Sequence, residues 1–315
     1  MAIISARSRL ATVKAEMMIN FRYHLVSLIA VFAALAVGVV LGAGPLQTRI
    51  ARVGASDAGS TISQSTVEEL SRRLEAERVG VEALATQQIA GRLDQYRVGL
   101  ILLPGANADD ITLTREALEA AGASVVNVAQ LGDNWHSEAM STYRQTLATS
   151  IETHLSDTVP ADATADGIIA AAIYTSLTSQ DPNAVLLDEI LTDEQTPLMT
   201  HVESGTELPT SFVIIGPHAS DDAPPLALSA WAGLASTFTR APQGVVVVGD
   251  ASTSATPLAQ LRQMGTPATT VDAVGTQIST VATILALAQS PSTTSHYGVE
   301  DGARSVLPPQ TGATQ

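Results

Sequence analysis

The side chains best suited to binding chemistry in this 315-residue chain are six His and six Met, and there is no Cys. Without thiolates, a metal site would have to be assembled from imidazole, thioether and carboxylate groups. The densest local set is Met199-Thr200-His201-Val202-Glu203. On a regular strand alternate residues face the same way, so Met199, His201 and Glu203 could present their three donor types together, and they are the candidate metal ligands. His218 near Asp221 and Asp222, and His136 beside Asp133 and Glu138, are sparser combinations that suit solvated loops. No HExxH pair is present. Catalytic signatures are absent too: there is no GxGxxG, GxxxxGK[ST] or GxSxG. A Ser-His-acid triad has no local mark, because its members meet only in space. The residues therefore predict a protein that is not an enzyme, with no cofactor identified.

Candidate sites need elements to hold them, and from Arg97 onward short β-rich runs alternate with helical ones. VGLILLP, ASVVNVA, FVIIGP, GVVVVGD and ATTVDAV read as strands, with helices between them, including one over Asp109 to Gly122. Continuous apolar runs at Val98 to Leu103, Val213 to Ile215 and Val245 to Val248 suit strands covered on both faces, so residues 97–290 are expected to form an α/β domain with a mainly parallel sheet. In such sheets ligands sit beyond the carboxyl ends of the strands, which draws attention to LPGANADD, IGPHASDD and VGDASTSATP. None is a known phosphate loop, and Gly249 to Thr253 reads equally well as a turn leading into a helix around Leu258. Residues 291–315, with Pro308-Pro309, read as a tail on the surface or without order.

Ahead of this body the chain changes character. Leu25 to Ala43 contains no charge and, as a helix, would cover about 28 Å, close to the hydrocarbon thickness of a bilayer. Phe21, Arg22, Tyr23 and His24 precede it, suited to headgroup depth. Leu41 stands where a cleavage site would want a small residue, so an uncleaved anchor is expected rather than a signal peptide. Arg7, Arg9, Lys14 and Arg22 before the run favour an N-terminus inside and a body outside. From Gly44 on, twelve Arg face thirty Asp and Glu, a net of about −18, which disfavours nucleic acid and anionic lipid as partners of the body.

Residues 44–59 form a Gly, Ala and Ser-rich linker. Residues 60–95 are expected to form a helical stalk, in which Val67, Leu70, Leu74, Val81 and Leu84 follow three- and four-residue steps with Glu77 interrupting the seam. Such a coiled-coil-like stalk predicts a homo-oligomer. The alternative is a solvated helix laced with pairs such as Glu68 with Arg72 and Glu69 with Arg73.

FRYHLVSLIAVFAALAVGVVLGAGPLQ, the Glu- and Arg-rich stalk, the α/β body and HYGVEDGARSVLPP together resemble the actinobacterial copper-transporter family named after mycobacterial copper transport protein B (MctB). The resemblance runs from about Met18 to Pro308. It is sharpest at Tyr23-His24 and at His296-Tyr297-Gly298, Gly302-Ala303 and Leu307-Pro308. It implies that residues 1–17 are an upstream extension, 18–24 a cytoplasmic stub and 25–43 the anchor of a cell-envelope protein with an extracytoplasmic body. It also implies a role in copper efflux and homeostasis, with copper as the ion carried, and a pore in the outer membrane. A pore needs several spanning helices or a closed barrel of long alternating strands, and neither is written in this chain. A structural module that positions envelope partners, or an unrecognised α/β enzyme with a polar pocket near Asp250 or His218, are the rival expectations.

Overall fold

The computed structural model describes residues 64–155, 159, 163–220, 225–289 and 294–309. The expected anchor at 25–43 and the stub and linker beside it lie outside the described residues. Among those that are described, no helix is long and apolar enough to cross a membrane. The chain divides into units 1–70 and 71–315, and the sheet lies wholly within the second.

That sheet has seven strands: β1 (Arg97–Leu102), β2 (Ser124–Leu131), β3 (Met199–Ser204), β4 (Ser211–Ile215), β5 (Val245–Val248), β6 (Thr269–Val271) and β7 (His296–Tyr297). Their order is β3-β2-β1-β4-β5-β6-β7. Every neighbouring pair is parallel except β2 with β3. The α/β architecture with a mainly parallel sheet that the apolar runs predict is therefore present.

The described helices are α1 (Gln64–Ile89), α2 (Ala108–Ala120), α3 (Asp133–His136), α4 (Ser141–Ile151), α5 (Ala165–Thr178), α6 (Pro182–Leu191), α7 (Leu228–Phe238), α8 (Pro257–Gln263) and α9 (Gln277–Leu287). They bury two separate cores, one on each face of the sheet. Although β1 from Val98, β4 from Phe212 and β5 carry no polar side chain, their residues alternate between the two cores, as strand geometry requires. Ile101, Ile214 and Val247 join Phe212, Ile169, Leu187 and Leu234 on the face covered by α4 to α8. Leu100, Leu102, Val213, Ile215, Val246 and Val248 join Leu118, Ile284 and Tyr297 on the face covered by α2 and α9. Each large side chain so buried contributes about 1.5–3 kcal/mol.

Phe212 anchors the first core, packing edge-on against Phe238 with ring centroids 4.7 Å apart. Gly99 on β1 makes room for it, since a Cβ there would stand 2.5 Å from the Phe212 ring.

The C-terminal segment is more ordered than its composition suggests. His296 and Tyr297 pair with Thr270 and Val271 as the edge strand β7, and Tyr297 is buried. The expected tail thus begins inside the sheet. The physical cause is a buried ion pair between Arg262 Nη1 and Asp272 Oδ2 at 2.9 Å, with side chains 3% and 0% exposed. Arg262 also donates to the carbonyl oxygens of Tyr297 (3.0 Å) and Asp301 (2.8 Å) and to Thr270 Oγ1 (2.9 Å). Asp272 Oδ1 accepts from the amides of Val299 (2.7 Å) and Glu300 (3.2 Å). Gly298 passes so close, at φ 129, that a Cβ would overlap the Asp272 carboxylate. His296-Tyr297-Gly298 and Gly302 are in this way parts of a clamp.

Candidate functional site

In the strand order, the chain leaves β1 toward one face and β4 toward the other. α2, which follows β1, packs on the second core, and α7, which follows β4, on the first. The carboxyl ends of β1 and β4 therefore flank a topological switch point, the usual ligand crevice of an open α/β sheet. LPGANADD and the described part of the loop after β4, Gly216 to Ser220, meet there.

α2 opens with Asn107 as its cap, whose side chain accepts from the Asp109 amide at 2.8 Å. Asp110, in its first turn, is carried inward to 7% exposure, where the amino end of the helix favours a negative charge. Gly275, from the loop after β6, approaches so closely that a Cβ would meet the Asp110 carboxylate. From the other side of the crevice His218 brings Nε2 to 2.7 Å from Asp110 Oδ2, its own side chain 49% exposed and that of Asp110 9%. The contact is at ion-pair distance without the alignment of a hydrogen bond, for which Oδ2 has no partner.

Asp250, just after β5, completes the His218 side of the crevice. Its Oδ2 accepts from the Ala219 amide at 3.0 Å and its Oδ1 from the Ser252 amide (2.8 Å) and hydroxyl (2.5 Å). Burial pushes its pKa up, but the Ser252 and Ala219 donors and nearby His218 outweigh this, and the carboxyl sits below its ordinary value. Farther along the same edge, Glu300 Oε2 accepts from the amides of Ala251 (2.6 Å) and Ala273 (3.3 Å). The chain's own carboxylate thereby takes amides at the ends of β5 and β6 that would otherwise face a ligand. What stays accessible is the half-exposed His218 imidazole backed by a buried carboxylate. Such a pair can move a proton or offer a cation one nitrogen and one oxygen.

The Met199, His201 and Glu203 side chains do not converge. The register of β3 slips against β2, so that His201 pairs with Ala129 and Glu203 with Val128, leaving Val202 as the extra residue of a bulge. Ala129 and Val128 belong to opposite cores, and the bulge sends His201 and Glu203 to opposite faces. His201 Nε2 meets Asp188 Oδ1 of α6 at 2.8 Å, and this hydrogen bond raises its pKa more than burial lowers it. Glu203 Oε1 accepts from Arg115 of α2 at 2.8 Å. Met199 is fully buried in the first core. A hollow of about 320 Å³ beside Glu203, Gly205 and Val126 lies at the far end of this strand.

The other histidines are placed as follows. Asp221 and Asp222, the expected neighbours of His218, lie outside the described residues. His136 is buried between Trp135 and Trp231, accepts from Trp231 Nε1 at 3.2 Å and stands 4.0 Å from Asp133. Burial lowers its pKa, with Arg144 adding to the effect and Asp133 opposing it. Among the described residues no group of three or more His, Cys, Asp or Glu could hold a metal ion. The strand-end loops drew attention in the sequence, whereas Asp110, Glu300 and the Arg262–Asp272 pair did not stand out as individual residues. Of these only Asp272 carried a local signal, as the acid directly after the β6 run in TTVDA.

A family model described as "Copper transport outer membrane protein, MctB" matches residues 18–308. The chain belongs to this family. The match includes the whole sheet and ends at Pro308, within the C-terminal segment that Arg262 and Asp272 clamp, so the family's terminal residues here serve the architecture. No curated protein sequence matches the chain at a significant level. Membership brings a copper-transport role in the envelope.

Proposed function

We propose that the chain serves copper efflux as a membrane-anchored envelope protein whose α/β body works in water, outside the plasma membrane, and is not an enzyme. The observation that carries this reading is the family match over residues 18–308. The described strands support the aqueous part of it, because they form one open sheet with helices on both faces and side chains buried on each. A lipid-facing barrel has polar and apolar residues alternating on long strands and no covering helices.

Copper is the cargo in this reading, held only in passing. His218 with Asp110 offers a nitrogen and an oxygen, a set suited to Cu(II) and short of the three or four ligands that retain a metal. The test is cellular copper content in a strain lacking the protein, complemented with the wild-type chain or with His218→Ala. Raised copper in the deletion strain, restored by the wild type and only partly by the variant, is expected. A deletion strain with no more copper than its parent overturns the reading.

The reading as a structural module that positions envelope partners is favoured by one observation, the apolar seam exposed along α1. It predicts unchanged copper content on deletion and a loss of envelope organisation instead.

A further inference from the structure

Within α1, residues 65–80 are exposed on every side, and the first buried positions are Ala85 and Ile89, which join the second core. About four and a half turns of helix exposed all round are marginal in water unless something covers an apolar face. Such a face exists. Val67, Leu70, Leu74 and Leu84 are 49%, 50%, 65% and 67% exposed, and with half-buried Val81 they run in alternating steps of three and four. At about 100° per residue, the Ala85–Ile89 stripe is turned by roughly 65° from the centre of this seam, so the residues that α1 buries in the second core are not those of the seam.

We infer that α1 pairs with α1 of a second copy as a parallel, in-register two-stranded coiled coil. Three features point to a second copy rather than to another partner. The seam is the narrow, strict a/d stripe of period 3.5 that suits an identical helix, whereas packing on a globular surface needs a wider face. Val67, Leu74 and Val81 occupy a positions and Leu70 and Leu84 occupy d positions; the β-branched residues at two of the three a positions, with Leu at d, favour two parallel strands.

The single polar layer, Glu77 at d, is followed directly by Arg78 at e. Arg78 is oriented along the helix by Glu75 (2.8 Å) and Glu82 (3.1 Å). In a parallel pair each Glu77 packs beside Arg78 of the other copy, so the layer that interrupts the apolar seam is matched in charge only in this register. Its role is to specify alignment at a cost in stability. The inference is independent of copper.

The chain has no Cys, so single cysteines report without background. Leu74→Cys and Val79→Cys are introduced separately into the full-length protein in membranes, oxidised, and resolved without reductant. Val79, itself 52% exposed, lies about 180° from the seam centre and is the control. Leu74→Cys should give a disulfide-linked dimer and Val79→Cys should stay monomeric. Equal cross-linking at both positions, or none at Leu74, overturns the inference. As a second measurement, Glu77→Leu buries an apolar side chain in the d layer and should tighten dimerisation of the full chain in detergent by about tenfold or more. A dimer dissociation constant unchanged by Glu77→Leu overturns it as well.

Discussion

Removing the Arg262 side chain should unfasten the C-terminal segment and with it the edge of the sheet. In Arg262→Met the stem is kept in the core while Asp272, 0% exposed, loses its counter-ion. Breaking a buried pair from one side costs about 3–5 kcal/mol, because the remaining charge has neither water nor partner. The two amides of Val299 and Glu300 still donate to Asp272, which holds the loss to the lower half of that range, about 3–4 kcal/mol. Against a total stability of about 5–15 kcal/mol, this is a large fraction.

Urea unfolding of the full chain in detergent, followed by helical circular dichroism, measures the loss. Hydrogen exchange over residues 294–309 locates it, since the carbonyl of Asp301 loses its Arg262 donor and that of Tyr297 keeps only the Asp272 amide. Arg262→Lys, a point charge able to reach fewer of the four acceptors, should fall between wild type and Arg262→Met. A loss under about 1 kcal/mol for Arg262→Met, with unchanged exchange at residues 294–309, would refute the clamp.

Two further predictions concern pH. His201 has its pKa raised by Asp188 above the ordinary 6.5, so the pair's stabilisation is complete below pH 6.5 and fades as pH climbs through the raised value. The melting temperature of the wild type should exceed that of Asp188→Asn at pH 5.5 and approach it by pH 8.5; a constant difference would count against it. His136 has its pKa lowered by burial and accepts from Trp231, so protonation removes an acceptor inside the core. The His136 contribution should hold above pH 6.5 and fall below it, so the difference in melting temperature between wild type and His136→Gln should be constant above pH 6.5 and shift against the wild type below it, as tested by melting curves read through the fluorescence of the chain's two Trp.

The parts of the fold that were legible in the sequence rest on short-range regularities. VGLILL, FVII and VVVV are apolar at every position because both faces of the sheet are covered, and such runs announce themselves without knowledge of their neighbours. The seam of α1 is legible for the same reason, as spacing along one helix is local. The helix expected over Asp109 to Gly122 is present as Ala108–Ala120, one residue from its expected start.

The C-terminal clamp was not legible. Pro308-Pro309 and a Gly-rich turn look like a free end, and only burial of Asp272 against Arg262 makes that segment worth ordering. The site divides in the same way. By itself the sequence determined five of the seven strands and the alternation of strand with helix between them, because these follow from periodicity and turn chemistry. The tertiary structure decided which side chains meet. One extra residue, Val202, parts His201 from Glu203, since a strand's side chains change face at every step. Asp110 and His218, far apart in the chain, come to 2.7 Å because the order of parallel strands sets β4 beside β1. Strand order is fixed by packing between distant segments, and no local pattern of residues encodes it.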